Sequence, residues 1–130
     1  MGSDIERVAV RHDLTLVVRF GSTATGRERA DSDVDIAVWT TRPYHLRDEE
    51  FIGDLTASLE EAIDEEREID LVLLNDADPV LLFEVARSGR CLWEKTPVTF
   101  VEFGSWAARV YDDTEKFRRA NREWLEGRLG

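Results

Sequence analysis

Residues 68–75 (EIDLVLLN) are apolar throughout their interior except for one aspartate, Asp70. A run this apolar leaves no side for water, so it predicts a strand at the centre of a sheet, buried on both faces. Such a sheet needs cover above and below. Residues 14–20 (LTLVVRF) form a second, β-branched run that predicts a buried strand ending at Gly21-Ser22. Residues 33–40 (DVDIAVWT) alternate strictly, placing Asp33, Asp35 and Ala37 on one face and Val34, Ile36 and Val38 on the other.

The segments between these runs follow helical spacing. Ile5, Val8 and Ala9 follow Asp4 and predict a short helix over residues 3–12, and a helical turn is expected from Ser22 to about Glu28. Over residues 48–66, Phe51, Leu55, Leu59, Ala62 and Ile63 recur among many acids, the pattern of an amphipathic helix that crosses over to the third strand. Asp78-Pro79 reads as an N-cap followed by proline at the first helical position, opening a helix that Gly89 ends. Thr96-Pro97 repeats that signal and predicts a long helix to about Leu125. It carries Phe103, Trp106, Ala107, Val110, Phe117 and Trp124, with polar breaks at Thr114 and Asn121. Its aromatic residues Trp106, Tyr111, Phe117 and Trp124 are assigned to the core, although four tryptophans leave room for a partner-docking surface.

The chain of 130 residues fits one α/β domain over residues 1–130. No apolar run reaches the roughly 18 residues of a membrane span and no signal-peptide pattern opens the chain, so a cytoplasmic protein is expected. A formal charge of −11 disfavours direct nucleic-acid binding and favours a basic partner or multivalent cations. Cys91 has no second cysteine to pair with and reads as a buried thiol, while His12 and His45 lack zinc spacing and are assigned surface or capping roles.

The chemistry concentrates in Gly21-Ser22, Arg27, and Asp33-Val34-Asp35. Two carboxylates at i and i+2 on a strand project from one face and repel unless solvent, a basic group or a cation relieves them. Two Mg²⁺ ions about 3.5–4 Å apart, held by carboxylates, stabilise both the attacking and leaving oxygens of an in-line phosphoryl or nucleotidyl displacement. Asp70, set in an apolar strand, fits as the third ligand because burying it alone is costly. Gly21 lets phosphate oxygens approach backbone amides, Ser22 adds a hydroxyl donor, and Arg27 offers a positive charge to a triphosphate. Asp31 shares the parity of the pair but precedes the strand and reads as a solvated turn acid. Gly21 and Gly26 approach P-loop spacing, but Arg27-Glu28 replaces the Lys-Ser/Thr of that motif.

Gly21-Ser22, Asp33-Val34-Asp35 and the later lone Asp70 together resemble the nucleotidyltransferase superfamily of DNA polymerase β. Within it the whole chain, including residues 81–94 (LLFEVARSGRCLWE), is similar to the minimal nucleotidyltransferase family with its MntA antitoxins. The resemblance implies a small mixed sheet flanked by helices with a long C-terminal helix. It implies catalytic and metal-binding roles for Asp33, Asp35 and Asp70, nucleotide contacts from Gly21, Ser22 and Arg27, Mg²⁺ as cofactor and ATP as substrate. It also implies a HEPN-family toxin as partner in a hetero-oligomer, silenced by transfer of AMP to a tyrosine hydroxyl. Thr25 departs from the arginine that many relatives carry. A small-molecule acceptor such as an aminoglycoside, or neutralisation by binding alone, are the other activities open to this family.

Overall fold

The computed structural model describes residues 2–21, 33–42, 48–63 and 67–129. Their order is α1 (Gly2–Arg11), β1 (Leu14–Phe20), β2 (Val34–Thr40), α2 (Glu49–Ile63), β3 (Ile69–Leu73), α3 (Pro79–Ser88), β4 (Arg90–Glu94) and α4 (Thr99–Leu129), with a 3-10 turn at Leu74–Asp76. The helical turn expected at 22–28, and His45, lie outside the described residues. The strands form one mixed sheet in the order β3-β2-β1-β4. β1 pairs antiparallel with both β2 and β4, and β2 pairs parallel with β3. A parallel pair needs a crossover connection, which α2 supplies.

Alternation along the strands creates two cores. Val34, Ile36 and Val38 of β2 pack with Leu14 and Val17 of β1 against Ile5 and Ala9 of α1 and Leu55 and Leu59 of α2. The opposite face sets Ala37 with Leu16, Val18 and Phe20 against Leu82 and Val85 of α3 and Phe103 and Ala107 of α4. Leu14 and Leu16 share parity yet face opposite cores because the β1–β2 register shifts between them. The extra residue of a bulge turns the strand over. On the second face Trp39 stacks on Trp106 with centroids 5.6 Å apart and meets the edge of Phe103 at 5.4 Å, which seats α4 under β2.

Local signals start the helices. Asp78 accepts from Leu81 N at 3.0 Å with Pro79 at the first position, and Asp48 accepts from Phe51 N at 3.1 Å. Gly89 ends α3 with φ −74°, so its need for glycine comes from space. A β-carbon there would press into the Val85 carbonyl and Val18 Cγ1.

Four expectations need correction, and one strand, β4, was not foreseen. β3 is an edge strand with only Ile69 buried, so its apolar run did not mean cover on both faces. β4 had no strand signal, because Arg90 and Glu94 bracket only three apolar residues and none is β-branched. α4 begins at Thr99, where the Thr99 hydroxyl accepts from Thr96 N at 3.0 Å and Glu94 accepts from Phe100 N at 3.2 Å, and it runs on to Leu129. Phe117 and Trp124 are 73% and 57% exposed and belong to no core. His12 is buried rather than at the surface; it caps the end of α1 and ties it to α2, with Nδ1 2.8 Å from Val8 O and Nε2 2.8 Å from Asp54 Oδ2. No helix among the described residues is long and apolar enough to cross a membrane.

The hydrogen bond from His12 pulls the Asp54 carboxyl below its ordinary 3.8. It outweighs desolvation, and the charges of Arg11 and His12 add to it. A depressed carboxyl contributes stability above 3.8 that is lost as pH falls through its lower folded-state value. Asp54→Asn is therefore expected to lower Tm at pH 7, with the gap to wild type narrowing below pH 3.8. Thermal melts between pH 7 and pH 3 check this, and a gap independent of pH contradicts the pairing.

Candidate active site

β1 delivers the chain to a tight corner. Phe20 is the register partner of Asp35, and the next residue, Gly21, has φ +76°. That left-handed conformation favours glycine by itself. A second constraint comes from across the sheet, where a β-carbon on Gly21 would overlap Asp35 Oδ2 and sit 3.2 Å from its Cγ. The corner is thus glycine partly because the Asp35 carboxylate leans over it. Sequence reasoning assigned the missing side chain to phosphate approach alone.

The parallel ladder then sets Asp35 opposite Asp70. Two residues further along each strand, Ala37 and Val72 belong to the α3/α4 core, so by alternation both aspartates project to that face. Asp35 is half-buried, whereas Asp70 is exposed because β3 is the sheet edge. The cost of burial inferred for Asp70 therefore falls on Asp35 instead. Asp33 stands exposed just before β2. Beyond the strands, Asn75 locks the β2–β3 relationship, accepting from Thr40 N and donating to Thr40 O, both at 3.0 Å.

Burial raises the Asp35 carboxyl above its ordinary 3.8, and the charges of Asp70, Asp33 and Glu84 raise it further. Among the described residues, the charges acting on it are thus all carboxylates. Glu84, on α3, was absent from the sequence reading, since only the packing of α3 against the sheet brings it near. The structure brings Asp35 and Asp70 together as neighbours with Asp33 in electrostatic range. Among the described residues, however, no three His, Cys, Asp or Glu side chains are gathered closely enough to hold a metal ion. Ser22, Thr25, Arg27 and Asp31 lie outside the described residues. Cys91, opposite Val18 on β4, is half-buried, and desolvation followed by the Glu94 charge pushes its thiol up to about 11, as befits a structural residue.

This geometry offers hard oxygen donors beside a glycine corner, in a field that attracts cations. Residues 3–97 match the family model described as polymerase beta, nucleotidyltransferase. No curated protein matches the chain in sequence. Among solved structures, the chain is similar to one from a toxin–antitoxin crystallised with AMP-PNP, with 27% identity, TM-score 0.75, and 96% of this chain and 98% of that one covered. It is also similar to a chain of the tri-AMPylated Shewanella oneidensis HEPN toxin in complex with MNT antitoxin (25% identity, TM-score 0.68, covering 96% and 95%). A chain of the toxin–antitoxin MntA-HepT matches with 25% identity and TM-score 0.69, covering 96% of each. The family match runs from α1 through the turn after β4, well over half of the sequence, and this chain therefore belongs to the polymerase β nucleotidyltransferase family.

Proposed function

We propose that the chain is an antitoxin-type protein adenylyltransferase that moves AMP from ATP to a hydroxyl, in our reading a tyrosine, of a cognate HEPN toxin and so silences it. The observation that carries the proposal is the Asp35 carboxylate, wedged against the Gly21 corner and aligned with Asp70 on the neighbouring strand. A protein acceptor is supported by the similar chain found in complex with a tri-AMPylated toxin, and ATP by the similar chain crystallised with AMP-PNP.

The donor set suits magnesium, being carboxylate oxygens whose mutual repulsion a divalent cation relieves. Asp33, Asp35 and Asp70 are the residues that would hold it, and when bound it supplies neutralisation of the charge that develops on the attacking and leaving oxygens. Gly21 and Ser22, with Arg27, cradle the triphosphate. Asp70, exposed at the sheet edge, orients the acceptor hydroxyl. The new bond joins that oxygen to the α-phosphorus while the α–β phosphoanhydride bond breaks, pyrophosphate leaves, and the hydroxyl proton passes to the Asp70 carboxylate and on to solvent.

Incubation of the chain with labelled ATP, Mg²⁺ and the cognate toxin is expected to place label on the toxin, and Asp33→Asn with Asp35→Asn to abolish it. Label confined to small cationic acceptors, or tight binding without label, contradicts the proposal. A second expectation concerns the metal-free protein. A carboxyl raised in the folded state makes stability fall as pH climbs from 3.8 through the folded-state value. Asp35→Asn removes that penalty, so at pH 7 it should raise Tm by about 1–3 °C, a discount for partial exposure included. Added Mg²⁺ should stabilise wild type but not Asp35→Asn. Equal stabilisation of both by Mg²⁺ would remove Asp35 from the metal site.

A further inference from the structure

Along α4 one helix face repeats at alternating intervals of three and four: Phe103, Ala107, Val110, Thr114, Phe117, Asn121 and Trp124. Phe103 and Ala107 are fully buried against the sheet. The same stripe then leaves the domain. Phe117 is 73% exposed, Trp124 57% and Leu125 43%, although the helix continues unbroken to Leu129. Residues 114–129 extend about 22 Å at the usual helical rise. Thr114 satisfies its hydroxyl on Val110 O at 2.8 Å, leaving its methyl to the stripe.

A three-four repeat is a surface another helix packs on, knob into hole, and a polar residue such as Asn121 within it fixes register. Charge selects the partner. Residues 114–129 carry five basic and three acidic side chains on a chain of formal charge −11. Arg118 and Arg122 flank the stripe beside Asn121, in a shallow groove of about 460 Å³ that Tyr111 and Glu115 also line. A second copy fits poorly. Antiparallel pairing sets the arginine flank of one helix against the same flank of its twin, and parallel pairing crowds two acidic domains together.

We infer that the projecting end of α4, residues 114–129, is the docking helix for the protein acceptor, and that it takes a partner helix with an apolar seam flanked by carboxylates. The inference rests on the toxin being that acceptor. Phe117 and Trp124 anchor the contact, and Arg118 and Arg122 set its orientation.

The test uses the whole chain and the whole cognate toxin, in a variant that has lost its toxicity, with affinity measured by calorimetry. Phe117→Ser with Trp124→Ser should weaken binding about 100-fold, as loss of two aromatic anchors does. The KM for toxin in AMP transfer should rise with kcat retained, and Mg·AMP-PNP affinity and Tm should be unchanged. Arg118→Glu with Arg122→Glu should weaken binding at least 10-fold and flatten its salt dependence. Toxin binding equally well to the aromatic variant overturns the docking site and leaves the adenylyltransferase reading standing. Wild type that binds no toxin overturns both. A wild-type dimer that the aromatic variant dissociates shows that a second copy covers the stripe and overturns the inference.

Discussion

The parallel pairing of β2 with β3, which sets Asp35 opposite Asp70, is the constraint around which the rest of the molecule is arranged. Like charges held side by side oppose that pairing. Two unit charges about 5 Å apart repel by about 3 kcal/mol at an effective dielectric of 20, and exposure of Asp70 lowers the figure. The opposing force is larger. Val34, Ile36, Val38, Leu55 and Leu59 are fully buried beneath the same strands, and each contributes about 1.5–3 kcal/mol relative to exposure. Asn75 adds a side-chain clamp where β3 leaves the sheet. The core thus holds in place a charge arrangement that local electrostatics would disperse.

Holding it there shapes the neighbouring chain. Asp35 is half-buried, with Phe20 beside it on β1, so its carboxylate occupies the space where a side chain at position 21 would go. Gly21 answers both the backbone turn and that intrusion. Gly21 and Asp35, separated in sequence, are therefore one steric unit, and a substitution at either alters the other. Glu84 adds a fourth carboxylate from the helix above. The site is consequently acidic on three elements, which suits a cation or a cation-bearing substrate and repels bare phosphate.

What could be read in the sequence was what local chemistry determines. β1 and β2 were legible from β-branched content and alternation, α2 from its apolar spacing, and the start of α3 from Asp78-Pro79 with a cap that forms as expected. What escaped depended on neighbours. An apolar run does not reveal whether it lies inside a sheet or at its edge, and β3 takes the edge with its side chains half-covered. Arg90–Glu94 becomes a strand only because β1 offers an open ladder. His12 was assigned a surface or capping role, and its cap on Val8 O is local, but its burial escaped because its other partner, Asp54, lies far along the chain on α2. For the site, the pairing of Asp33 with Asp35 was read from strand parity and the place of Asp70 from the cost of burying it, while the parallel register that sets Asp70 opposite Asp35 and the approach of Glu84 required the tertiary packing.

The misplaced aromatics of α4 show the same limit from the other side. Periodicity states which face of a helix is apolar, not where the protein beneath that face stops. The stripe from Phe103 to Val110 finds the sheet, and the identical stripe from Phe117 to Trp124 does not. Exposure of a large aromatic costs free energy that a lone domain has no reason to retain. An acidic body that concentrates basic side chains on one projecting helix has separated two tasks. On the proposed reading, the carboxylate face gathers cations and, through them, phosphate, while the helix meets a protein whose charge the body itself would repel. Because α4 both closes the core on the face to which Asp35 projects and carries the exposed stripe, docking of an acceptor on that stripe would fix the direction from which it reaches the carboxylates.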